Sequence, residues 1–396
     1  LAGERLYCVD RLTNNRLQGL ARRGIRVAGE PELLCLDLRT GQKIWSTDQD
    51  VFGTFLNYSA EHDTLLQAGS QYRDRAQDEV GTGMVAYRGS DGEIIWSNHQ
   101  LKHGGPCLLW KDTVLTNGGG GFALDIRTGK PTGWSYNRNY GCNTALGSQH
   151  LLTFRSGAAG FFDLLNDSGT GNIGGFKSSC TANLIPADGV LNAPDYTRTC
   201  TCAYQNQTSL ALIHMPEAEF WTFGGKARKG RTGVNFAAPG DRRSTDGTLW
   251  LDVPSRGGSS APLKVRFVPE FPTLFRHHAS FVEAGELPWV ASSGISGIQR
   301  IEIETPSDGE YQVRLIFLEP EGQRPDERVF DVSIQGTVVL TRFDVSKAAG
   351  GPSRSVVRTF SAHATGGKIV LEFNAKTKLP ALISGVELIS RDNHVR

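Results

Sequence analysis

The sequence predicts an all-β protein in two successive parts, a β-propeller of about five blades followed by a β-sandwich. Three observations lead there. Runs such as YQVRLIFLE and KIVLEFN alternate apolar and polar residues with period two. The chain carries 47 Gly and 17 Pro but only 2 Met, and hardly any stretch has apolar residues at helical spacing. Finally, one pattern recurs three times: an apolar strand, a tight Gly turn, charged residues and a tryptophan. It reads LDLRTGQKIW from Leu36 to Trp45, VAYRGSDGEIIW from Val85 to Trp96, and LDIRTGKPTGW from Leu124 to Trp134.

Aligning the segments that begin at Phe52, Gly104, Tyr140 and Ser179 extends this pattern into a repeat. Each contains a short first strand, a turn, a second strand (Leu65-Leu66, Val114-Leu115, Leu151-Leu152, Val190-Leu191), a third strand, and a Gly-containing hairpin before a fourth. A period of roughly 40 residues with four strands per unit is the signature of propeller blades, because one such sheet cannot bury its two faces alone. Trp45, Trp96 and Trp134 are then expected in equivalent positions between blades. Gly41, Gly92 and Gly129 supply the positive φ of the hairpins. Five blades can be counted over residues 1–223, the first without its opening strand. Closure of the ring requires either few blades, upstream sequence or another chain. Because LAGERLYCVD starts inside a strand, the numbered chain is expected to lack upstream sequence.

The Gly/Lys/Arg-rich stretch after Phe223 carries nothing apolar before Val234 and reads as a linker over 224–233. A second domain follows over 234–396. Its strands are GEYQVRLIFLEPEG, RVFDVSIQGTVVLTRFDV, GKIVLEFN and PALISGVELIS, with Tyr311, Val313, Leu315 and Phe317 alternating onto one buried face. A polar linker and a self-contained strand set predict that a fragment from about Arg231 folds alone.

Composition limits function. The 396 residues include 42 Lys plus Arg and 41 Asp plus Glu, so a net charge of +1 offers no general attraction to phosphate backbones and no nucleic-acid partner is expected. Apolar runs such as SLALIHM fall far short of the roughly 20 residues that span a bilayer. Seven cysteines suit an oxidising compartment, hence a secreted or periplasmic setting. Cys107, Cys142 and Cys180 share one position in three successive first strands and are expected near the propeller axis, with His103 close by. A disulfide among them or to Cys200 or Cys202, a soft metal site, and inert buried thiols all fit this placement, and no metal site is assigned. Cys8 and Cys35, on neighbouring strands, could bridge locally. The charged insertion YRDRAQDEV from Tyr72 to Val80 reads as a solvated rim loop. GGGG at Gly118 to Gly121 lacks the Lys-Ser/Thr and helix of a phosphate loop, and the sequons at Asn57, Asn166 and Asn206 matter only in a glycosylating host.

The strand, Thr-Gly or Asp-Gly turn and Trp pattern resembles the tryptophan-docking repeats of PQQ-dehydrogenase-like propellers, and the stretches from Phe154 to Leu164 and from Cys180 to Pro216 look like the variant common in secreted proteins of planctomycete-type bacteria. That superfamily includes quinone enzymes with adjacent paired cysteines and a carboxylate-held Ca²⁺. Here the nearest feature is Cys200-Thr201-Cys202, so no quinone and no other cofactor is expected. The second part resembles malectin-like carbohydrate-binding sandwiches over about 230–392. The resemblance rests on Tyr311, Val313, Leu315, Phe317 and Glu319, on Arg328 to Val332, on Phe343 to Val345, and on Gly385 to Leu388.

The malectin-like resemblance implies sugar contacts on loops, where an aryl face meets a pyranose and polar side chains bond its hydroxyls. Candidate residues are Asp241, Arg242, Arg243, Trp250, Phe275, His277, His278, Trp289 and Glu319; the alternative for Trp250 and Trp289 is a place in the core. In the propeller, Asn143, Arg155, Asp195, Tyr196 and Arg198 fall near strand ends, where a funnel could hold an anionic or hydroxyl-rich ligand. The favoured reading is a non-catalytic recognition protein that binds carbohydrate or a glycoconjugate, with other chains or upstream blades completing the propeller. A polysaccharide-active enzyme with its site in the funnel, and a structural component of an envelope or multi-protein assembly, are the competing readings.

Overall fold

The computed structural model describes residues 1–27, 29–69, 80–118, 120–141, 144–176, 184–194, 209–215, 217–255 and 261–391. The fold is nearly all β, as expected. Contacts divide the chain into two units: Leu1–Phe161 with Gly174–Ile213, and Phe162–Ile173 with His214–Arg396.

The first unit is a succession of antiparallel sheets of propeller-blade type. A three-stranded sheet (Arg5–Asp10, Glu32–Asp37, Lys43–Thr47) precedes two four-stranded ones: Phe55–Ser59, Thr64–Ala68, Thr82–Arg88 and Ile94–Lys102, then Leu108–Trp110, Thr113–Leu115, Gly120–Asp125 and Pro131–Asn137. The strands Leu146–Gly147, Leu151–Ser156 and Ala158–Asp163 follow, then a sheet of Ile185–Ala187, Val190–Ala193 and Leu210–Ile213. The first sheet lacks an opening strand, as the repeat predicts. An eight-residue helix, Asn14–Ala21, capped by the Thr13 side chain, was not legible in the sequence.

The inner strand Thr64–Ala68 is buried on both sides because its blade has a neighbour on each side. In Thr64–Ala68 every residue is buried; Leu65 packs with Tyr7, Leu33 and Cys35 of the first blade, Leu66 with Cys107, Val114 and Leu124 of the third. The recurring tryptophan and glycine are two halves of one contact. Trp45 Nε1 donates to the Gly89 carbonyl at 3.0 Å, and Trp96 Nε1 to the Ile126 carbonyl at 2.8 Å, in each case on the next blade. The indole then covers the turn glycine: a Cβ on Gly92 would stand 2.7 Å from Trp45 Cε3, and one on Gly129 2.6 Å from Trp96 Cε3. Trp134 lies on the corresponding fourth strand, Pro131–Asn137. The turns repeat too. Asp37 and Asp125 each accept two backbone N–H groups and a threonine hydroxyl through Oδ1, which holds the Asp37 carboxyl below the usual range.

Glycine therefore serves at Gly92 and Gly129 both for its positive φ, +79° and +67°, and for the indole above it, whereas Gly41 at φ +71° has nothing within 4 Å. Gly92→Ala and Gly129→Ala should each destabilise the protein by about 1–3 kcal/mol, and Gly41→Ala by only about 1 kcal/mol. Urea-unfolding midpoints of the three variants check this; equal losses would refute indole packing as the reason.

Cys8 and Cys35 do not bridge. Cys8 opposes Leu34 and Cys35 opposes Tyr7, so the two side chains leave opposite faces of the sheet, and both are free thiols.

The second unit is a sandwich. A six-stranded sheet in the order Arg242–Arg243, Leu249–Val253, Arg231–Phe236, Gly385–Ser390, Gly309–Phe317, Val356–Ala364 faces a five-stranded one of Val265–Val268, Arg300–Glu304, Lys368–Ala375, Val329–Ile334, Thr337–Asp344. Tyr311, Val313, Leu315 and Phe317 fill the core as predicted, with Val234, Phe236, Val386 and Leu388 beside them and Ile301, Phe330, Val332 and Leu371 opposite.

The stretch read as linker contains the start of a strand, since Arg231–Phe236 pairs with Gly385–Ser390 and, in parallel, with Leu249–Val253. It looks like a linker because its outward positions are special. Arg231 reaches the fully buried Glu387 at 3.0 Å, which also binds Arg314 at 2.6 Å and the Thr248 hydroxyl. Gly233 lies under Trp250, where a Cβ would meet Cδ2 at 2.5 Å. Upstream, Thr222–Gly224 pairs with Gly169–Asn172. A fragment begun at Arg231 therefore omits parts of this unit.

Candidate functional site

The outer face of the six-stranded sheet carries a cluster built from both ends of the unit's sequence. In the pairing of Arg242 with Trp250 and Arg243 with Leu249, alternation sends the two arginines to opposite faces. Arg243 is consumed structurally, donating to the carbonyls of Gly247 at 2.9 Å, Lys226 at 2.6 Å and Asp167 at 3.0 Å. Arg242 shares the face of Trp250. Its guanidinium lies 5.0 Å from the ring centre of Trp289 and 5.8 Å from that of Trp221.

Three indoles, Trp221, Trp250 and Trp289, form the aromatic frame. Trp250 is 1 % exposed and packs with Val290, Ala291, Ile316 and Leu318. The half-buried Trp289, on the short helix Pro288–Ala291, meets Trp250 edge-on at 6.1 Å and 85°, and Trp221 at 6.1 Å and 71°. Two further bonds tie the loop of Trp221 to that preceding Trp289: His278 Nε2 lies 2.9 Å from the Glu217 carbonyl, and Ala279 N–H donates to Glu219 Oε1 at 2.8 Å.

Arg242 is the chemically open member. Burial lowers its basicity and the nearby Glu219 carboxylate opposes that shift, but a guanidinium remains charged at neutral pH. It stacks without making a side-chain hydrogen bond to any described residue. Five N–H donors in a fixed fork suit a carboxylate or adjacent hydroxyls, and the indoles beside it suit the apolar face of a sugar ring.

The other candidates have structural work. Trp250 is core and cannot offer a ring face to a ligand. Asp241 is fully buried and accepts the Asp252 N–H through Oδ1. Phe275 packs on the sandwich core and over Gly294, where a Cβ would come within 2.3 Å of its ring. Glu319, 1 % exposed, pairs with the buried Arg328 at 2.7 Å. His277 stacks on Phe281 at 4.0 Å, and His278 caps the turn Ala279–Phe281. In the propeller, Arg155 is buried with its guanidinium 5.5 Å from the Tyr140 ring centre, while Asn143, Asp195, Tyr196 and Arg198 lie outside the described residues. Trp221 was missed because it falls in EFWTFGG, which reads as the end of the propeller; the aromatic density of that segment was its one signal.

Of the cysteines expected near the axis, Cys142 and Cys180 lie outside the described residues, as do their possible partners Cys200 and Cys202 and most of the charged insertion. Cys107 is a buried free thiol 3.8 Å from His103 Nδ1, itself 2.9 Å from the Gly105 carbonyl. Burial pushes this thiol up to about 12. The native state thus keeps its proton at pH values where the unfolded chain loses it, so stability from this group is complete below the ordinary thiol range and falls as pH rises toward 12. Alkylation of Cys107 at pH 8 should be at least about 100-fold slower in the native than in the unfolded protein. Peptide mapping of labelled thiols measures it, and equal rates would contradict the burial.

Residues 300–393 match the Malectin domain family. That span covers central strands of both sheets; Glu319 is the one candidate residue inside it, and Trp221, Arg242 and Trp289 lie outside. No curated protein matches the chain. Similar solved structures include a Bacteroides uniformis β-glucuronidase (18 % identity, 40 % of this chain and 18 % of that one, TM-score 0.33). The ANX2 ectodomain from Arabidopsis thaliana is also similar (15 % identity, 40 % and 48 %, TM-score 0.31). So is BamB from Moraxella catarrhalis (19 % identity, 41 % and 48 %, TM-score 0.30). The chain thus spans under half the length of each. No helix is long and apolar enough to cross a membrane among the described residues. The finding with a bearing on the sandwich is the Malectin domain match over its central strands.

Proposed function

We propose that this is a secreted or periplasmic recognition protein in which the propeller blades act as scaffold and the sandwich binds carbohydrate without turning it over. The observation that carries the reading is Arg242, a half-buried guanidinium stacked against Trp221 and Trp289 that forms no side-chain hydrogen bond to a described residue. Its donor fork is not spent on the fold, so its hydrogen bonds are available to a bound ligand. The Malectin domain match over 300–393 supports the ligand class. Within that class the fork favours glycans with a carboxylate, such as uronic-acid polymers, over neutral ones. The intact chain screened against neutral and uronic-acid glycans, with product analysis of those bound, tests this reading. Binding without new reducing ends is expected. Turnover would replace it with an enzyme, and failure to bind any glycan would remove it.

A further inference from the structure

We propose that Glu61, His62 and Asp112 form a site for a divalent transition-metal ion where two blades meet. Glu61 and His62 occupy the turn before Thr64–Ala68, and Asp112 the equivalent turn before Thr113–Leu115 of the next blade. One ligand atom from each of the three lies within 4.8 Å of the others.

Two observations make this more than a chance grouping. The His62 side chain is nine-tenths buried, with 10 % of its surface exposed, yet its buried Nε2 makes no hydrogen bond. That nitrogen stands 2.9 Å from Asp112 Oδ1, in a direction that misses hydrogen-bond geometry. Donor atoms on adjacent vertices of a coordination shell, with metal bonds of about 2.0–2.2 Å, are roughly 2.9–3.4 Å apart. The second observation comes from the repeat. One blade earlier, Asp63 holds the position of Asp112 and is met by a cation from the preceding blade, Arg5, at 3.2 Å. At Asp112 the preceding blade supplies an imidazole and a further carboxylate, His62 and Glu61. Arg127 of the same blade donates to Asp112 Oδ1 at 3.0 Å, and Oδ2 accepts from no described residue.

One imidazole and two carboxylates select Zn²⁺, Co²⁺ or Mn²⁺ over Ca²⁺ and Mg²⁺, which take oxygen ligands, and over Cu(I), which takes sulfur. The ion would link successive blades through ligands from both.

The test is titration of the intact, chelator-treated chain with Zn²⁺ by calorimetry and with Co²⁺ by absorbance. The expected result is a stoichiometry that falls by one equivalent in His62→Gln, and a site whose affinity drops at least about 10-fold in Glu61→Gln. The cobalt lost with His62 should carry no thiolate charge-transfer band, which separates this site from any formed by cysteines. Glu61 is exposed, so Glu61→Gln decides the matter even if His62→Gln folds poorly. Absence of binding by the wild type at about 1 mM metal, or unchanged binding in Glu61→Gln, would overturn the proposal.

Discussion

Arg242→Ala should remove glycan binding from the intact chain while leaving its unfolding free energy within about 2 kcal/mol of the wild type. The asymmetry follows from the site. The guanidinium contributes stacking to the fold, which for a partly desolvated cation over indole amounts to about 0.5–2 kcal/mol shared with lost burial. Its hydrogen-bonding capacity is available to a ligand. An open site on a sandwich buries little of a sugar, so the starting affinity is expected on the order of 0.1–1 mM. Loss of one or two charge-assisted bonds, each about 1.5–3 kcal/mol, takes such an affinity below detection. Arg242→Lys keeps the charge and loses the fork, and should weaken carboxylate-bearing glycans at least about 10-fold. Titration of both variants against a uronic-acid oligosaccharide measures the effect. Wild-type affinity in Arg242→Ala would move the binding site elsewhere; loss of the fold would reassign the stack to architecture.

Trp250→Ala should cost about 3–5 kcal/mol, the largest single-residue stability loss expected in the sandwich. The indole fills the space between the sheet and the segment carrying Trp289, over Gly233 and Gly385, whose missing side chains are the room it occupies. Alanine leaves a cavity that those glycines cannot fill, and Trp289 loses the edge it rests on. Glycan binding should fall too, but together with near-ultraviolet dichroism and the urea midpoint. Trp250→Phe should recover much of the stability. A Trp250→Ala protein of near-native stability that had lost only binding would return this residue to the list of ligand contacts.

Both effects turn on neighbours the sequence does not display. Asp241, Arg242 and Arg243 form one polar triplet in the sequence; strand alternation and an edge pairing split them into a buried acceptor, a stacked open cation and a cation bound to three backbone carbonyls. Glu319 and Trp250 have the residue types of a binding site, but burial assigns them to an ion pair and a core. The apparent linker fails for a related reason. A strand position beneath an indole demands glycine, and one opposite a buried carboxylate demands arginine, so Gly233 and Arg231 imitate a flexible segment.

By itself the sequence determined the all-β class, the succession of blades, the turn glycines, and the inward face of the strand from Tyr311 to Phe317. These follow from period-two burial and from a repeat whose units must stack, both one-dimensional signals. Tertiary structure alone decided that Trp45 and Trp96 dock on the following blade's turn, that Cys8 and Cys35 face apart, and that Trp221 joins Arg242 and Trp289. It also set His62 against Asp112. Each of these depends on which faces meet across a sheet or between sheets, and a linear pattern shows the faces without showing what packs against them.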